Sequence, residues 1–472
     1  MPNTIDGVQR YPQLGIKVVI VGAGVAGLMS ALECWRKGCD VVVIERAPEI
    51  SPLGDFFTIP PSGMSTFKYY PAMLEDYHQE IYDCSISIWS TDGKCVMKTK
   101  PDWTKHREES AAPDVSISFI KRRPVFTTML YNQCIRLGIP VVFSQHARSI
   151  EETSDAVVVT TADGTHYHGD LCIAADGIGS SLTKNLTGHE EAVKDSGYAA
   201  ARAAFPRSAI KPGSPAASLL AKVEEEAEFR TYLGDDLHLI LMLTKDYSDG
   251  HAAESWHNLR EPSVFIEQLE QKTKGWDAAV IDFIRQIPTK VVDWGLRWRN
   301  PSEQWTSLGG RVLKAGDSAH AYLPTAGNGA VQALESAISI AECLRLGGKD
   351  GVPWSTKVHN HLRFQRTSIL QQAGFNNRDE LHHADLEAIS KSRELSDIGF
   401  FKQGGWSWKH RPETYATQNY DQCLSHLRDG AAFVNTNLPP GHLYQPWSME
   451  SEDERMASKT ASDLKKNGYW GV

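Results

Sequence analysis

The chain has no lysine- and arginine-rich run of the kind that grips a phosphate backbone, and its formal net charge is −9. That balance excludes nucleic acid or an anionic membrane as the main partner. No apolar stretch approaches the roughly 20 residues of a membrane-spanning helix. The opening MPNTIDGVQRYPQLG has neither the charged start nor the apolar core of a secretory signal, and the closing NGYWGV matches no prenylation or peroxisomal signal. A cytoplasmic location is therefore expected. The eight cysteines form no C-x-x-C pair and lie at no metal-like spacing to histidine, so they read as reduced thiols; Cys172, in an apolar run, reads as a small buried hydrophobe. Among the 17 histidines, His359/His361 and His382/His383 are close pairs. Neither pair has carboxylate or cysteine partners at useful spacing, so both are expected to be solvated helix residues and no metal is expected. Internal repeats and low-complexity tracts are absent. What remains is 472 residues with 41% hydrophobic and 23% charged content, ordinary for a soluble globular protein of about two or three domains.

The most informative stretch is IKVVIVGAGVAGLMSALECWRKGCDVVVIER, residues 16–46. A strand-like run feeds Gly22, Gly24 and Gly27, spaced G-x-G-x-x-G. A helix-like segment follows, then a second apolar run ending at Glu45 and Arg46. Gly22 permits the tight turn, Gly24 lets the backbone approach a pyrophosphate, and Gly27 lets helix and strand pack closely. The helix N-terminus offers N–H groups to the phosphates, and Glu45 can accept hydrogen bonds from a ribose diol. By itself this unit suits NAD and FAD equally. The glycine pairs Gly177/Gly179 and Gly327/Gly329 do not complete a second fingerprint, so one dinucleotide is held permanently and another needs a different kind of site.

Strand-like runs are expected at 84–89, 140–143, 156–161, 166–173, 199–205, 230–233, 237–243 and 311–317, from apolar alternation and from the turns at Asp92-Gly93 and Asp163-Gly164. Helical patterns cover 125–137, 262–287 as a pair, and 330–346. Residues 100–114 are charged and Pro-flanked, which suggests an exposed loop. Two later motifs close strand-like runs: Asp176-Gly177, and Gly316-Asp317 within GDSAHAYLPTAGNGAVQALESA. Each has a plainer reading, a simple turn for the first and a helix N-cap for Asp317.

Taken together and in order, GAGVAG with Glu45, Asp176-Gly177 and the Gly316-Asp317 segment closely resemble the motif set of the single-component (class A) FAD-dependent aromatic monooxygenases, the group of the p-hydroxybenzoate and salicylate hydroxylases. Arg123-Pro-Val-Phe126 followed by Leu130 resembles that family's R-x-x-L-x-x-x-L helix, whose arginine faces the FAD. The resemblance implies an α/β fold: a Rossmann-type FAD-binding domain with an inserted β-sheet substrate domain and a C-terminal helical region. The expected boundaries are 1–190 and 301–390 for the FAD-binding domain, 191–300 for the substrate domain, and 391–472 for the C-terminal region. It implies that Gly22, Gly24, Gly27, Glu45 and Arg46 hold the ADP half of FAD, with Arg123 facing the cofactor. Asp176 and Gly177 help hold its phosphate, Asp317 binds the ribityl hydroxyls, and Gly327 and Gly329 lead a helix toward the flavin ring. It further implies NADPH or NADH as a transient reductant and O2 as co-substrate. A flavin C4a-hydroperoxide then delivers oxygen to an electron-rich aromatic molecule. A monomer or weak dimer is expected.

Several positions depart from the family. Thr183-Lys184 stand where an arginine usually follows the Asp-Gly motif, which leaves NADPH against NADH open. Gly54-Asp55-Phe56 replaces a usual Gly-Ala-Gly, and Leu241-Met-Leu-Thr244 replaces a Tyr-Pro, so the substrate is not expected to be simple salicylate. Arg202, in the apolar run Tyr198-Ala-Ala-Ala-Arg202, must be paired or functional, since an isolated buried charge is costly. By family position it faces the substrate; a structural salt bridge is the alternative. Asp55 is the second catalytic candidate, or else a turn carboxylate. Tyr232 and Pro324 are candidate substrate contacts. Trp256, Trp294, Trp298 and Trp305 either line an apolar pocket or serve the core. The Gly54-Asp55 loop and the Arg202 strand are similar to the fungal branch of the family, which oxidises phenols, polyketides and prenylated indoles. The resemblance there implies indole 2,3-epoxidation with a semipinacol shift to a spiro-oxindole; phenol or polyketide hydroxylation is the alternative. A halogenase is set aside because Trp294-Gly-Leu-Arg-Trp298 has the wrong spacing for W-x-W-x-I-P. An NAD-dependent dehydrogenase would leave the later motifs unused. A non-catalytic flavin-binding redox sensor is the alternative from another class.

Overall fold

The computed structural model describes residues 3–51, 56–79, 84–100, 121–180, 182, 193–221, 227–244, 259–272, 275–392, 404–458, 460 and 462–471. The expected loop at 100–114 falls almost wholly outside them, as do Asp55 and Trp256.

Five parallel strands form the central sheet, in the order Val312–Lys314, Leu171–Ala174, Lys17–Val21, Asp40–Ile44, Val141–Val142. Lys17–Val21 stands in the middle. It is covered on both faces, which explains why KVVIV is an unbroken apolar run. Val18 and Ile20 pack toward the helices, in one core with Leu28, Leu32, Phe126, Leu334 and Ile338. Val19 and Val21 face a three-stranded antiparallel sheet, Ala147–Glu152, Val157–Thr161 and His166–Gly169.

The run 166–173 is two strands, not one. His166–Gly169 pairs with Val157–Thr161, and Leu171–Ala174 enters the central sheet. Asp170 makes the break: its Oδ2 accepts the Lys17 N–H at 2.7 Å, and its carbonyl accepts Arg311 Nη1 at 3.0 Å. Local apolarity could not reveal this, because both partners lie far away in sequence.

The substrate unit holds a four-stranded sheet, Leu237–Leu243, Ala227–Gly234, Cys84–Ser90 and Cys95–Thr99. Half of it is the 84–99 hairpin, which comes from before residue 190, so a boundary at 190 does not separate the two units. Cys84–Ser90 runs parallel to Ala227–Gly234. Helices Ala217–Leu220 and Ala278–Arg285 close its core around Tyr232, Leu241 and Leu243. A smaller sheet orders Lys194–Arg202, Val291–Trp298 and Leu259–Arg260.

Helix Gly329–Gly347 packs on Val25–Arg36, and the long helix Val352–His382 packs on it in turn. Helix Pro412–Asp429 lies against both Gly329–Gly347 and Val352–His382. No described helix is long and apolar enough to cross a membrane. His359, expected in solvent, is buried, with Nδ1 at 3.0 Å from Ser339 Oγ.

Glu413 ties the C-terminal region to the first helix. It accepts Arg36 Nη2 at 2.9 Å and also bonds Lys37 Nζ, both cations being buried. Burial acts to raise the Glu413 carboxyl, but the charges of Arg36 and Lys37 outweigh it and hold it below the usual carboxylate range. A depressed folded value stabilises above the unfolded carboxyl pKa of about 4.3, and that stability is lost as pH falls through the folded value. Arg36 keeps Glu33 and Lys37 keeps Glu342 if Glu413 is removed. Glu413→Gln should therefore cost only about 2 kcal/mol at pH 7. In urea denaturation the gap from the native protein should close below pH 4.

Candidate active site

Three motifs distant in sequence meet at the carboxyl edge of the central sheet. Gly22 has φ +106°, and a Cβ there would stand 2.4 Å from the Ala175 carbonyl oxygen, beside Asp176. A Cβ on Gly27 would stand 1.9 Å from the Gly22 carbonyl oxygen. Gly316, at φ +63°, would place one 2.7 Å from Ala26 Cβ. Hydrogen bonds continue the contact: Ala315 N–H and Ser318 Oγ donate to the Ala174 carbonyl at 2.9 and 2.6 Å. Each glycine is thus required by a neighbour from another motif or from its own turn.

The rim of the same place is open. A Cβ on Gly24, Gly177 or Gly327 would meet nothing within 4 Å. Gly24 precedes helix Val25–Arg36, which has no side-chain cap, so its first-turn N–H groups are not claimed by a capping side chain. A pyrophosphate fits that cradle. Glu45 is fixed beside it: Oε2 accepts the Ala23 N–H at 2.7 Å and Oε1 the Ala47 N–H at 2.8 Å. Each carboxylate oxygen keeps a further lone pair for a ribose hydroxyl.

Asp176 carries a buried Oδ1 with no hydrogen-bond partner among the described residues. Burial pushes its carboxyl up; Ser180 most, and then Arg299 and Arg46, oppose the shift. Arg299, which directly follows strand Val291–Trp298, donates to the Ile178 carbonyl at 2.6 Å. Asp317 exposes its own surface yet is crowded by protein, as a group on the wall of a deep cleft is. Burial pushes it up while the Arg123 guanidinium, at the head of helix Arg123–Arg136, pulls it down. Two carboxyls with opposing cations thus flank the cradle, and an orphaned buried acceptor and unblocked glycines suit a dinucleotide cofactor. A surface groove beside helix Pro71–Gln79, bounded by Lys68, Leu74 and His78, shares no residue with these motifs.

The loop Pro324–Ala326 closes the site, with Pro324 exposed at its head. Four bonds pin this stretch to the long helix: Gln371 Nε2 to the Ala321 carbonyl at 2.7 Å, Tyr322 Oη to the Thr367 carbonyl at 2.9 Å, Thr325 Oγ1 to the Gly374 carbonyl at 2.8 Å and Asn377 Nδ2 to the Thr325 carbonyl at 3.2 Å. A Cβ on Gly374 would stand 2.8 Å from Ala326 Cβ. Sequence reasoning missed Gly374; the available signal was a glycine inside an otherwise helical run. Helix Gly329–Gly347 starts beyond the loop without a side-chain cap, and its Ala333 Cβ lies 3.9 Å from where a Cβ on Gly316 would stand, so its positive end is close to the Gly316-Asp317 motif.

On the substrate side, Arg202 is half-buried at the end of Lys194–Arg202, a strand that is mostly exposed rather than buried as its apolarity suggests. Its guanidinium lies over the Trp294 ring, 4.1 Å from the centroid. Tyr232 is 0% exposed, packed between Trp89 and Trp276, with Arg230 Nη1 at 3.4 Å from its Oη. A substrate contact there would have to break that packing, so Tyr232 belongs to the core of its unit. Trp298 stacks on Phe375 at 4.7 Å, and Trp305 is buried near His320.

The fold and this site define a single-dinucleotide flavoprotein with a separate β-sheet substrate unit. A family model described as an FAD binding domain matches residues 15–346. The FAD-dependent monooxygenase mdpD of Emericella nidulans is 34% identical, covering 98% of this chain and 91% of that protein. Notoamide E oxidase notB' of Aspergillus versicolor is 26% identical over 90% of this chain and 93% of its own. The crystal structure of CtdE in complex with FAD and substrate 4 shares the fold, with a TM-score of 0.77 at 24% identity over 88% of this chain and all of that one, 100%. The chain belongs to the FAD-dependent monooxygenases of the single-component class, and FAD is its cofactor.

Two substitutions separate holding the cofactor from holding the fold. Gly24 has extended backbone, φ −80° and ψ −176°, that any residue adopts. Gly24→Val should leave the melting temperature of the flavin-free protein unchanged while flavin absorbance per chain falls at least tenfold. Gly374→Ala should keep FAD but displace the loop, costing about 1–3 kcal/mol in denaturation and raising the hydrogen peroxide released per NADPH oxidised.

Proposed function

We propose that the enzyme oxygenates an electron-rich aromatic small molecule held between the flavin loop and the Lys194–Arg202 sheet. FAD, when bound, takes reducing equivalents from NADPH or NADH and activates O2 as an electrophilic oxygen donor. The single observation that carries the substrate class is Arg202 stacked on Trp294. It presents a flat aromatic and cationic surface on an otherwise exposed strand. A planar guanidinium on an aromatic ring suits a substrate with an oxygen substituent or a ring nitrogen. Arg299 and Trp298 carry the same sheet to the Asp176 motif and, through Phe375 beside Gly374, to the flavin loop. That continuity supports a substrate seated against the cofactor. Pro324 borders it from the loop side, and Asp55 is the proposed acid, on a segment outside the described residues.

The finer reading is oxidation of an indole at its 2,3-bond, followed by rearrangement to a spiro-oxindole. The likeness to a notoamide E oxidase supports it. Hydroxylation of a phenol or polyketide ring is the second reading, favoured by the fit of a guanidinium to a phenolate oxygen.

Purified protein with NADPH, O2 and matched panels of indoles and phenols decides between them. Indoles should stimulate NADPH oxidation and gain one oxygen atom; stimulation by phenols alone would sink the indole version. Arg202→Gln should lower kcat/KM for the true substrate by about 10- to 100-fold, equivalent to about 1.4–2.8 kcal/mol, with flavin content unchanged. An unchanged kcat/KM would remove Arg202 from the site.

A further inference from the structure

Behind the flavin-facing end of helix Gly329–Gly347 lies a buried charged cluster. Glu335 on that helix meets two arginines of the long helix, and all three are at most 1% exposed. Arg363 Nη1 donates to Glu335 Oε2 at 2.6 Å; Arg366 donates from Nε to Oε2 at 2.9 Å and from Nη2 to Oε1 at 3.0 Å. Arg366 is further solvated by the carbonyls of Trp406, Ser407 and Asn437, which bring no formal charge. Arg363 also donates from Nε to Ser336 Oγ at 3.4 Å and from Nη2 to Gln332 Oε1 at 2.6 Å, the latter on the first turn of the flavin-facing helix.

The count is two cations against one anion. Three buried histidines border the cluster and do not change it: burial and then Arg363 push His320 down to about 3, and burial together with the arginine charges keeps His359 and His410 neutral. Burial acts to raise Glu335, but Arg366 and Arg363 outweigh it, so it stays ionised. Tyr322 feels the three charges of the cluster and, least, that of Asp317 on the cleft wall, whose own charge is opposed by Arg123 rather than by the cluster. A net positive charge is thus enclosed where water cannot screen it. Glu335 lies nearly two helix turns, ~9 Å, behind an uncapped helix N-terminus of the same sign, and Gln332, which Arg363 also holds, lies ~5 Å behind it.

Resting on FAD as the cofactor, we propose that the surplus charge of the Arg363–Glu335–Arg366 cluster is directed through helix Gly329–Gly347 at the flavin and stabilises its reduced, anionic form. Arg363 is then a positioning residue for charge and touches neither cofactor nor substrate. Removing it leaves the bidentate Glu335–Arg366 pair, which is neutral, so no uncompensated charge remains within the cluster.

The test is a spectroscopic redox titration of the holoenzyme against a reference dye. At a fixed potential, Arg363→Met should lower the ratio of reduced to oxidised flavin by about tenfold. Arg363→Lys should retain the native ratio, and Glu335→Gln, which adds a positive charge, should move it the opposite way. A purely structural role predicts shifts of one sign or none, and either result overturns the proposal. Should the neutral variants fail to fold, the native protein still decides: its reduced flavin at pH 6 should have the spectrum of the anion, and a neutral reduced flavin overturns the idea. A native protein that purifies without flavin would contradict the cofactor instead.

Discussion

Close approach of backbone to backbone, and at Gly316 to the Ala26 methyl, near the ends of three parallel strands is the constraint on which the rest depends. Two carbonyl oxygens and one methyl group stand where the Cβ atoms of Gly22, Gly27 and Gly316 would be. No rotamer change relieves such a contact, because backbone cannot step aside without moving its strand. The open end of helix Val25–Arg36, the anchored Glu45 and the placement of Asp317 all follow from this approach. Segments from residue 22 to residue 317 are drawn into one rim.

The rim is electrically distinct from the molecule around it. The chain as a whole is acidic, at −9. At the cleft, Arg46 and Arg299 act on Asp176, Arg123 acts on Asp317, and two uncapped helix ends add positive potential. With Glu45 the side-chain charges balance, so an anionic diphosphate and a flavin that gains electrons are met by the positive helix ends, which low-dielectric walls keep from being screened.

How much of this the sequence disclosed depended on whether the determinant was local. The strand–glycine–helix unit could be read because each residue's task is set by near neighbours, and the strand expected at 237–243 is observed as Leu237–Leu243. Order and spacing of the motifs carried the family. Partners distant in sequence were not legible. Nothing in residues 84–99 announces that they complete the substrate sheet, and nothing in 166–173 shows that Asp170 splits the run. Glu335, Arg363 and Arg366 looked like ordinary polar positions on helices, because burial of a polar face depends on what packs over it. The alanine-rich strand before Arg202 misled in the opposite sense: small side chains suggested a core, but most of the strand is exposed. Tyr232 had the chemistry of a substrate contact and the placement of a core residue.

The long helix Val352–His382 serves both halves of the chemistry. Along its length it holds Glu335 through Arg363 and Arg366, the flavin loop at Gly374, and Trp298 of the substrate sheet through Phe375. At its end the His382 carbonyl accepts the Asp236 N–H at 3.4 Å, from the turn of the Ala227–Leu243 hairpin. The cofactor rim and the sheet that carries Arg202 are therefore tied to one helix of 31 residues, some ~46 Å long. Errors in seating one half appear equally in the other, so their separation is conserved even when the helix shifts as a body. Evolution of a new substrate can then rework the exposed strand while the distance over which oxygen is delivered stays the same.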